Sequence, residues 1–329
     1  MSHDPAEQPS APLSLAPESR SRSSAALGAA LTFALGAVAL WATNALVGKT
    51  LLASYPVSQV QFLQFCGAAL VFALIRLTST SPSPLAGERG SARSAGNATL
   101  AAYAVGFLGL VGTMVLQYIG FASMPVIEAN LVAYTWPLMT AAAVILLGRP
   151  RRPLLLGLAA AVGFVGVALV ISGGRAQPWL EGGSLVGYLA AFGSALCMAF
   201  YSFAVGRLAI SPDRLLLPSA LIGVALTFAW CLHDGVVRPT GAHLLLGLYL
   251  GAGPMGLGYY FWSRAAKLDH GGRIAVVAYL TPIASTFLLT LSGESLSMTA
   301  VAGAVLVIGS CLAVGIEGME TRDDVQNGR

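Results

Sequence analysis

Apolar residues run along this chain in blocks of about 20 or more, separated by short polar or proline-containing breaks. They occupy residues 25–50, 57–77, 98–123, 124–148, 153–172, 183–206, 216–232, 241–266, 272–292 and 296–315. A helix of that length crosses the ~30 Å hydrocarbon core of a bilayer, so the pattern predicts an all-α integral membrane protein with ten transmembrane helices. The third and fourth blocks are divided only by Ser123-Met124-Pro125, where the proline suits the first turn of a new helix. Residues 1–24 are rich in Ser, Pro and Ala without periodicity and read as a disordered tail, and residues 317–329 form a second tail. The first apolar block is too long for the core of a cleaved signal peptide.

Composition agrees with the pattern: 56% of residues are hydrophobic and 10% charged. A water-facing surface needs more charge than that. The net charge of +4 does not point to nucleic acid, because the basic residues sit in loops and not on one face. With ten spans, the tails and even-numbered loops share one side, and that side carries all but Lys49, Arg175 and Arg238 of the 18 basic residues. The positive-inside bias then places both termini in the cytoplasm.

The apolar blocks also repeat. Val132-Ala133-Tyr134-Thr135-Trp136-Pro137 in the fourth matches Val277-Ala278-Tyr279-Leu280-Thr281-Pro282 in the ninth, and each proline lies eleven residues before a glycine, Gly148 or Gly293. Leu108-Gly109 and Tyr118 correspond to Leu250-Gly251 and Tyr260, and Gly48-Lys49 to Gly206-Arg207. The unit is five helices, residues 25–173 and 183–316. An odd number of crossings inverts the second copy relative to the first, which is the architecture of carriers that alternate access around a midplane site.

At these residues the chain resembles the drug/metabolite transporter superfamily and, within it, the EamA-type carriers. Leu40-Trp41-Ala42-Thr43-Asn44 with Lys49 is similar to the first-helix signature, and Ile127-Glu128 leading to the Tyr-x-x-Pro segments and Tyr259-Tyr260-Phe261-Trp262 fit the same group. One departure is Met198, where these carriers often have a tryptophan three residues before the tyrosine of the sixth helix, here Tyr201. The resemblance implies a bacterial inner-membrane exporter, a monomer in the lipid bilayer, whose small-molecule substrate is an aromatic or other hydrophobic amino acid. Export of flat cationic toxins or phosphorylated sugars, or a scaffold or receptor without transport, remain the alternatives. Phosphorylated cargo requires basic residues in the cavity, and the spans hold few.

Burial and resemblance together single out candidate substrate-binding residues: Trp41, Asn44, Tyr134, Trp136, Tyr201, Tyr259, Trp262 and Tyr279. These lie inside their spans and not at the interfaces where aromatic residues usually collect, and buried Tyr hydroxyls and Trp N–H groups require partners. Pro137, Pro254 and Pro282 each leave a carbonyl without its intrahelical donor and are candidate hinges. Glu128, at the outer entry to the fourth helix, is a candidate site for an amine or for proton coupling.

Other motifs carry no chemistry. Gly251-Ala252-Gly253-Pro254-Met255-Gly256 has dinucleotide-loop spacing, but lies within a membrane helix with no preceding strand. Asn97-Ala98-Thr99 is a chance sequon at a cytoplasmic helix end. The four histidines are scattered and Cys66, Cys197, Cys231 and Cys311 read as small buried hydrophobes, so no metal site, cofactor or catalytic group is expected.

Overall fold

The computed structural model describes residues 16–78, 100–148, 152–172, 184–269, 274–291 and 297–326, and among them there is no strand. Eight helices are long and apolar enough to cross a membrane: α1 (Ala26–Leu52), α2 (Val57–Thr78), α3 (Leu100–Ser123), α4 (Glu128–Gly148), α5 (Pro153–Ser172), α6 (Leu185–Val205), α7 (Pro212–Asp234) and α8 (Gly241–Leu268). The ninth and tenth apolar blocks form α9, helical over Ile274–Val277 and Leu280–Leu291, and α10 (Met298–Gln326). The protein is therefore a multi-pass membrane protein. The helical backbone leading into α1 begins at Ala16, within the segment read as a disordered tail, and that of α10 continues to Gln326; residues 1–15 lie outside the described part, as does the Asn97 sequon. Of the four cysteines, Cys231 is buried and the others are half-buried.

The division between α3 and α4 falls where the proline sets it. Met124 is extended (φ −156°, ψ 166°) and Pro125 follows at φ −53°, ψ 129°. Among the described residues, three helices are interrupted within their length. In α1 the break is at Ala42-Thr43, and in α4 at Tyr134-Thr135. In both, the threonine hydroxyl donates to the carbonyl three residues back, Thr43 Oγ1 to Leu40 O at 2.9 Å and Thr135 Oγ1 to Val132 O at 2.6 Å. In α9 the break is at Ala278-Tyr279, where the amides of Ala278, Tyr279 and Thr281 all reach back three residues. Pro137 and Pro282 lie just after these breaks and have no N–H to continue an α-helical ladder. In addition, α3 and α8 each contain a π-helical stretch, Phe107–Gly112 and Gly251–Leu257, the second with Pro254 inside it. Such stretches widen a helix locally and turn side chains out of their α register.

The most extensive helix pairs are α5 with α10, α1 with α8, α3 with α6, α2 with α8 and α2 with α7. The α5–α10 pair is packed through glycine. A Cβ on Gly166 would lie 2.7 Å from the Gly303 carbonyl oxygen, and one on Gly303 would lie 2.4 Å from the Gly166 carbonyl oxygen. In lipid there is little hydrophobic drive between helices, so close backbone approach of this kind carries much of the association. Gly303→Leu is expected to separate the pair and lower stability by about 1–3 kcal/mol, read as a drop in the melting temperature of the detergent-solubilised protein, whereas Leu312→Ala on the exposed face of α10 leaves it nearly unchanged.

Candidate functional site

Five of the aromatic residues singled out in the sequence meet at the centre of the helix bundle. The Trp41 ring lies 6.4 Å from Trp136 at an interplanar angle of 88°, 6.0 Å from Tyr259 at 71° and 5.3 Å from Trp262 at 45°. Trp136 and Trp262 are edge-on at 5.2 Å, and Tyr201 adjoins Tyr259 at 5.7 Å. These are the offset and edge-to-face arrangements that ring quadrupoles favour. Met198 is buried in the same cluster, filling the place of the expected tryptophan with a thioether.

Local backbone irregularity makes the cluster possible. Trp41 is the last residue of the first part of α1, Trp136 follows the break in α4, and Tyr259 and Trp262 follow the π-helical stretch in α8. Trp136 and Tyr134, two residues apart, face opposite sides of α4, as helical spacing dictates. Gly258 allows the Trp41 indole to lie against α8, since a Cβ there would be 2.7 Å from Trp41 Nε1.

The polar ends of Trp41, Trp262 and Tyr201 are held by protein groups. Trp41 Nε1 donates to the Pro254 carbonyl at 2.9 Å, and Trp262 Nε1 to Ser202 Oγ at 2.9 Å. Ser263 Oγ donates to the Tyr259 carbonyl at 2.5 Å, so Tyr201 OH, 2.6 Å from Ser263 Oγ, donates to that serine. The sequence reading missed Ser202 and Ser263. The available signal was a hydroxyl inside an apolar span, one helical step from an aromatic residue.

The other candidates are placed elsewhere. Tyr134 and Tyr279 belong to a second cluster formed with α5 and α10, where the Tyr279 ring covers Gly163. Asn44 accepts a hydrogen bond from Tyr118 OH at 3.2 Å, in a third cluster toward the opposite end of α3. Glu128 accepts from Tyr188 OH, which ties the start of α4 to α6, and nearby Ser184 Oγ donates to the Ser123 carbonyl at 3.0 Å. Pro137, Pro254 and Pro282 are all buried. Tyr259 OH lies against Thr113 and Tyr134 OH against Thr281, while the buried Gln61 Oε1 and Gln117 Oε1 have no partner among the described residues.

A cavity of about 150 Å³ adjoins the cluster at the end of the bundle where α6 and α8 finish and α9 begins. Trp262 forms its inner wall, with Thr140 and Val144 from α4, Ser202 and Phe203 from α6, and Ile274 and Ala275 from α9. Arg207 and Asp269 are the charged members of the described lining. Asp269 Oδ2 accepts the Ile274 N–H at 2.8 Å and so fixes the start of α9. Among the described residues no group of His, Cys, Asp and Glu is arranged to hold a metal ion.

Comparison with known proteins follows the same division of the chain. Residues 28–172 and again 185–316 match the EamA-like transporter family. The chain is 31% identical over 308 residues to the aromatic amino acid exporter YddG of Ancylobacter novellus, covering 89% of this chain and 98% of that one. A solved crystal structure shares the fold with a TM-score of 0.74 at 24% identity, over 89% of this chain and 99% of the other.

The serine–tyrosine pair in the cluster is directly testable. Ser263→Ala leaves the buried Tyr201 hydroxyl without an acceptor and is expected to cost about 1–3 kcal/mol. Tyr201→Phe in the Ser263→Ala background recovers most of that loss, which thermal unfolding of the two variants and the double variant measures as a coupling energy.

Proposed function

The chain belongs to the EamA-like transporter family, and on that premise we propose that it is a secondary transporter that exports aromatic, and to a lesser degree other hydrophobic, amino acids by alternating access. The observation that carries the reading is the cavity beside Trp262, backed by Trp41, Trp136, Tyr259 and Tyr201. A cavity of about 150 Å³ is of the size that admits one benzene ring, and its inner wall is an indole. The relationship to an aromatic amino acid exporter over nearly the full length of both chains supports the same cargo.

The transport cycle we propose uses ten membrane crossings in two inverted halves, α1–α5 and α6–α10, with both termini in the cytoplasm of a bacterial inner membrane. Three observations support the halves. Each matches the family separately. Four of the extensive helix pairs also exchange into one another when α1–α5 are swapped with α6–α10: α3–α6 becomes α8–α1, while α2–α7 and α5–α10 map onto themselves. Finally, the interruptions recur at matched places, beside the Tyr-x-x-Pro segments of α4 and α9 and in the π-helical stretches of α3 and α8. In this reading Pro137, Pro254 and Pro282 are hinges, because their helices lack a hydrogen bond there and bend at lower cost. The aromatic cluster closes the path beyond the cavity. Glu128, bonded to Tyr188 at the far end, ties α4 to α6 there and is the candidate for an amine or for proton coupling.

Reconstituted in liposomes, the protein is expected to carry labelled phenylalanine and tryptophan faster than empty vesicles. Trp262→Ala lowers that flux by roughly tenfold through loss of ring contacts, and Trp262→Phe keeps most of it. No flux of either amino acid rejects the exporter reading, and flux of phosphorylated sugars alone moves the cargo to another class. A reporter enzyme active only in the cytoplasm, fused after Arg329, is expected to be active in cells; an inactive but intact fusion rejects the proposed orientation.

A further inference from the structure

Arg207 was read in the sequence as one loop charge among many. The structure puts it on the wall of the cavity, at the end of α6, with its guanidinium carbon 3.7 Å from the centre of the Phe203 ring. One nitrogen, Nη1, donates to the Phe203 carbonyl at 2.6 Å. A Cβ on Gly148, at the end of α4, would lie 3.2 Å from the other, Nη2. The planar group is therefore stacked on a ring, pinned by one hydrogen bond and bordered by a second helix, while the residue as a whole stays exposed. A guanidinium has five N–H donors in a fixed fork, and one hydrogen bond to Phe203 leaves a face suited to a planar anion.

We propose that Arg207 is the anchor for the carboxylate of the cargo, so that the cavity selects molecules carrying an aromatic ring and a carboxylate together. This inference rests on the cavity being the cargo site. Within one cavity lie an indole wall at Trp262 and a fork donor at its rim, and a carboxylate joined to a ring by a short aliphatic link spans that combination. The rim offers a single fork: Arg207 is the one cation of the described lining, and one guanidinium matches one carboxylate better than a phosphate dianion. Arginine is suited to the task because bidentate pairing with a carboxylate needs its planar geometry, which lysine lacks.

Three probes separate the groups: tryptophan, tryptamine without the carboxylate, and indole-3-acetate without the amine. The measurements are half-saturation in liposome uptake and ligand-induced thermal stabilisation of the purified protein. Arg207→Gln is expected to weaken tryptophan and indole-3-acetate by about tenfold or more and to leave tryptamine unchanged. Arg207→Lys, which keeps the charge and guards against a folding defect, gives a smaller loss confined to the two acids. Equal weakening of all three probes, or no change in either acid, overturns the proposal. Stabilisation of the wild type by indole-3-acetate, lost in Arg207→Gln, without uptake of tryptophan, rejects the exporter reading and leaves the carboxylate anchor standing.

Discussion

Inside the hydrocarbon core no water is available to a backbone amide or a side-chain hydroxyl, so each polar group there must find its partner within the protein. The aromatic centre is built on that constraint. Trp41 reaches the Pro254 carbonyl, Trp262 reaches Ser202, and Tyr201, Ser263 and the Tyr259 carbonyl form a short chain of hydrogen bonds. Each bond crosses between helices or fixes a rotamer, so satisfying the polar ends also sets the positions of the rings. The buried atoms left over, such as Gln61 Oε1 and Gln117 Oε1 among the described residues, each cost about 1–3 kcal/mol when no partner is present. Tight packing elsewhere, above all at the glycine contacts of α5 with α10, has to offset that cost.

The same constraint explains why the site lies where the helices are irregular. A regular helix keeps its carbonyls to itself and presents only a fixed stripe of side chains. At the break in α4, Tyr134 faces α5 and α10, and Trp136, two residues on, faces Trp41. The π-helical stretch in α8 leaves the Pro254 carbonyl accessible to an indole from α1. Irregular backbone is tolerated at membrane depth only when neighbouring groups repair it, as the hydroxyls of Thr43 and Thr135 do.

Hydropathy made the spans legible, because about 20 apolar residues in a row have few other uses, and Pro125 marked the boundary between α3 and α4 for a local steric reason. The interruption inside α9 was less legible, since periodicity says where an apolar run lies and not how much of it is one continuous helix. At the site, Trp41, Trp136, Tyr201, Tyr259 and Trp262 were recognisable as buried aromatic residues, but spacing does not say which neighbour a helix face meets. Tyr134 and Tyr279 were grouped with the tryptophans because they share the repeated motif, and the structure packs them on the other side of α4 and α9. Asn44 was placed near Trp41 by its spacing and instead pairs with Tyr118 across the break in α1. Arg207 was hidden in a different way. A cation at a helix end is the ordinary mark of a cytoplasmic loop, and only the stacking on Phe203 and the position beside Trp262 distinguish it from the rest.

The energetics of the proposed cargo site are modest by construction. Burying an aromatic ring contributes roughly 2–3 kcal/mol. An exposed cation at the rim adds less than a buried one, because water and salt screen it. Together these terms correspond to binding near the millimolar range, and a weak site of this kind fills only when its cargo accumulates and empties again once the helices rearrange. A deeper ionic site would hold an amino acid more tightly but would also impose a desolvation penalty at mid-membrane. Confining the charge to the rim and the aromatic contacts to the interior avoids that penalty, and it divides recognition into a carboxylate met at entry and a ring met within.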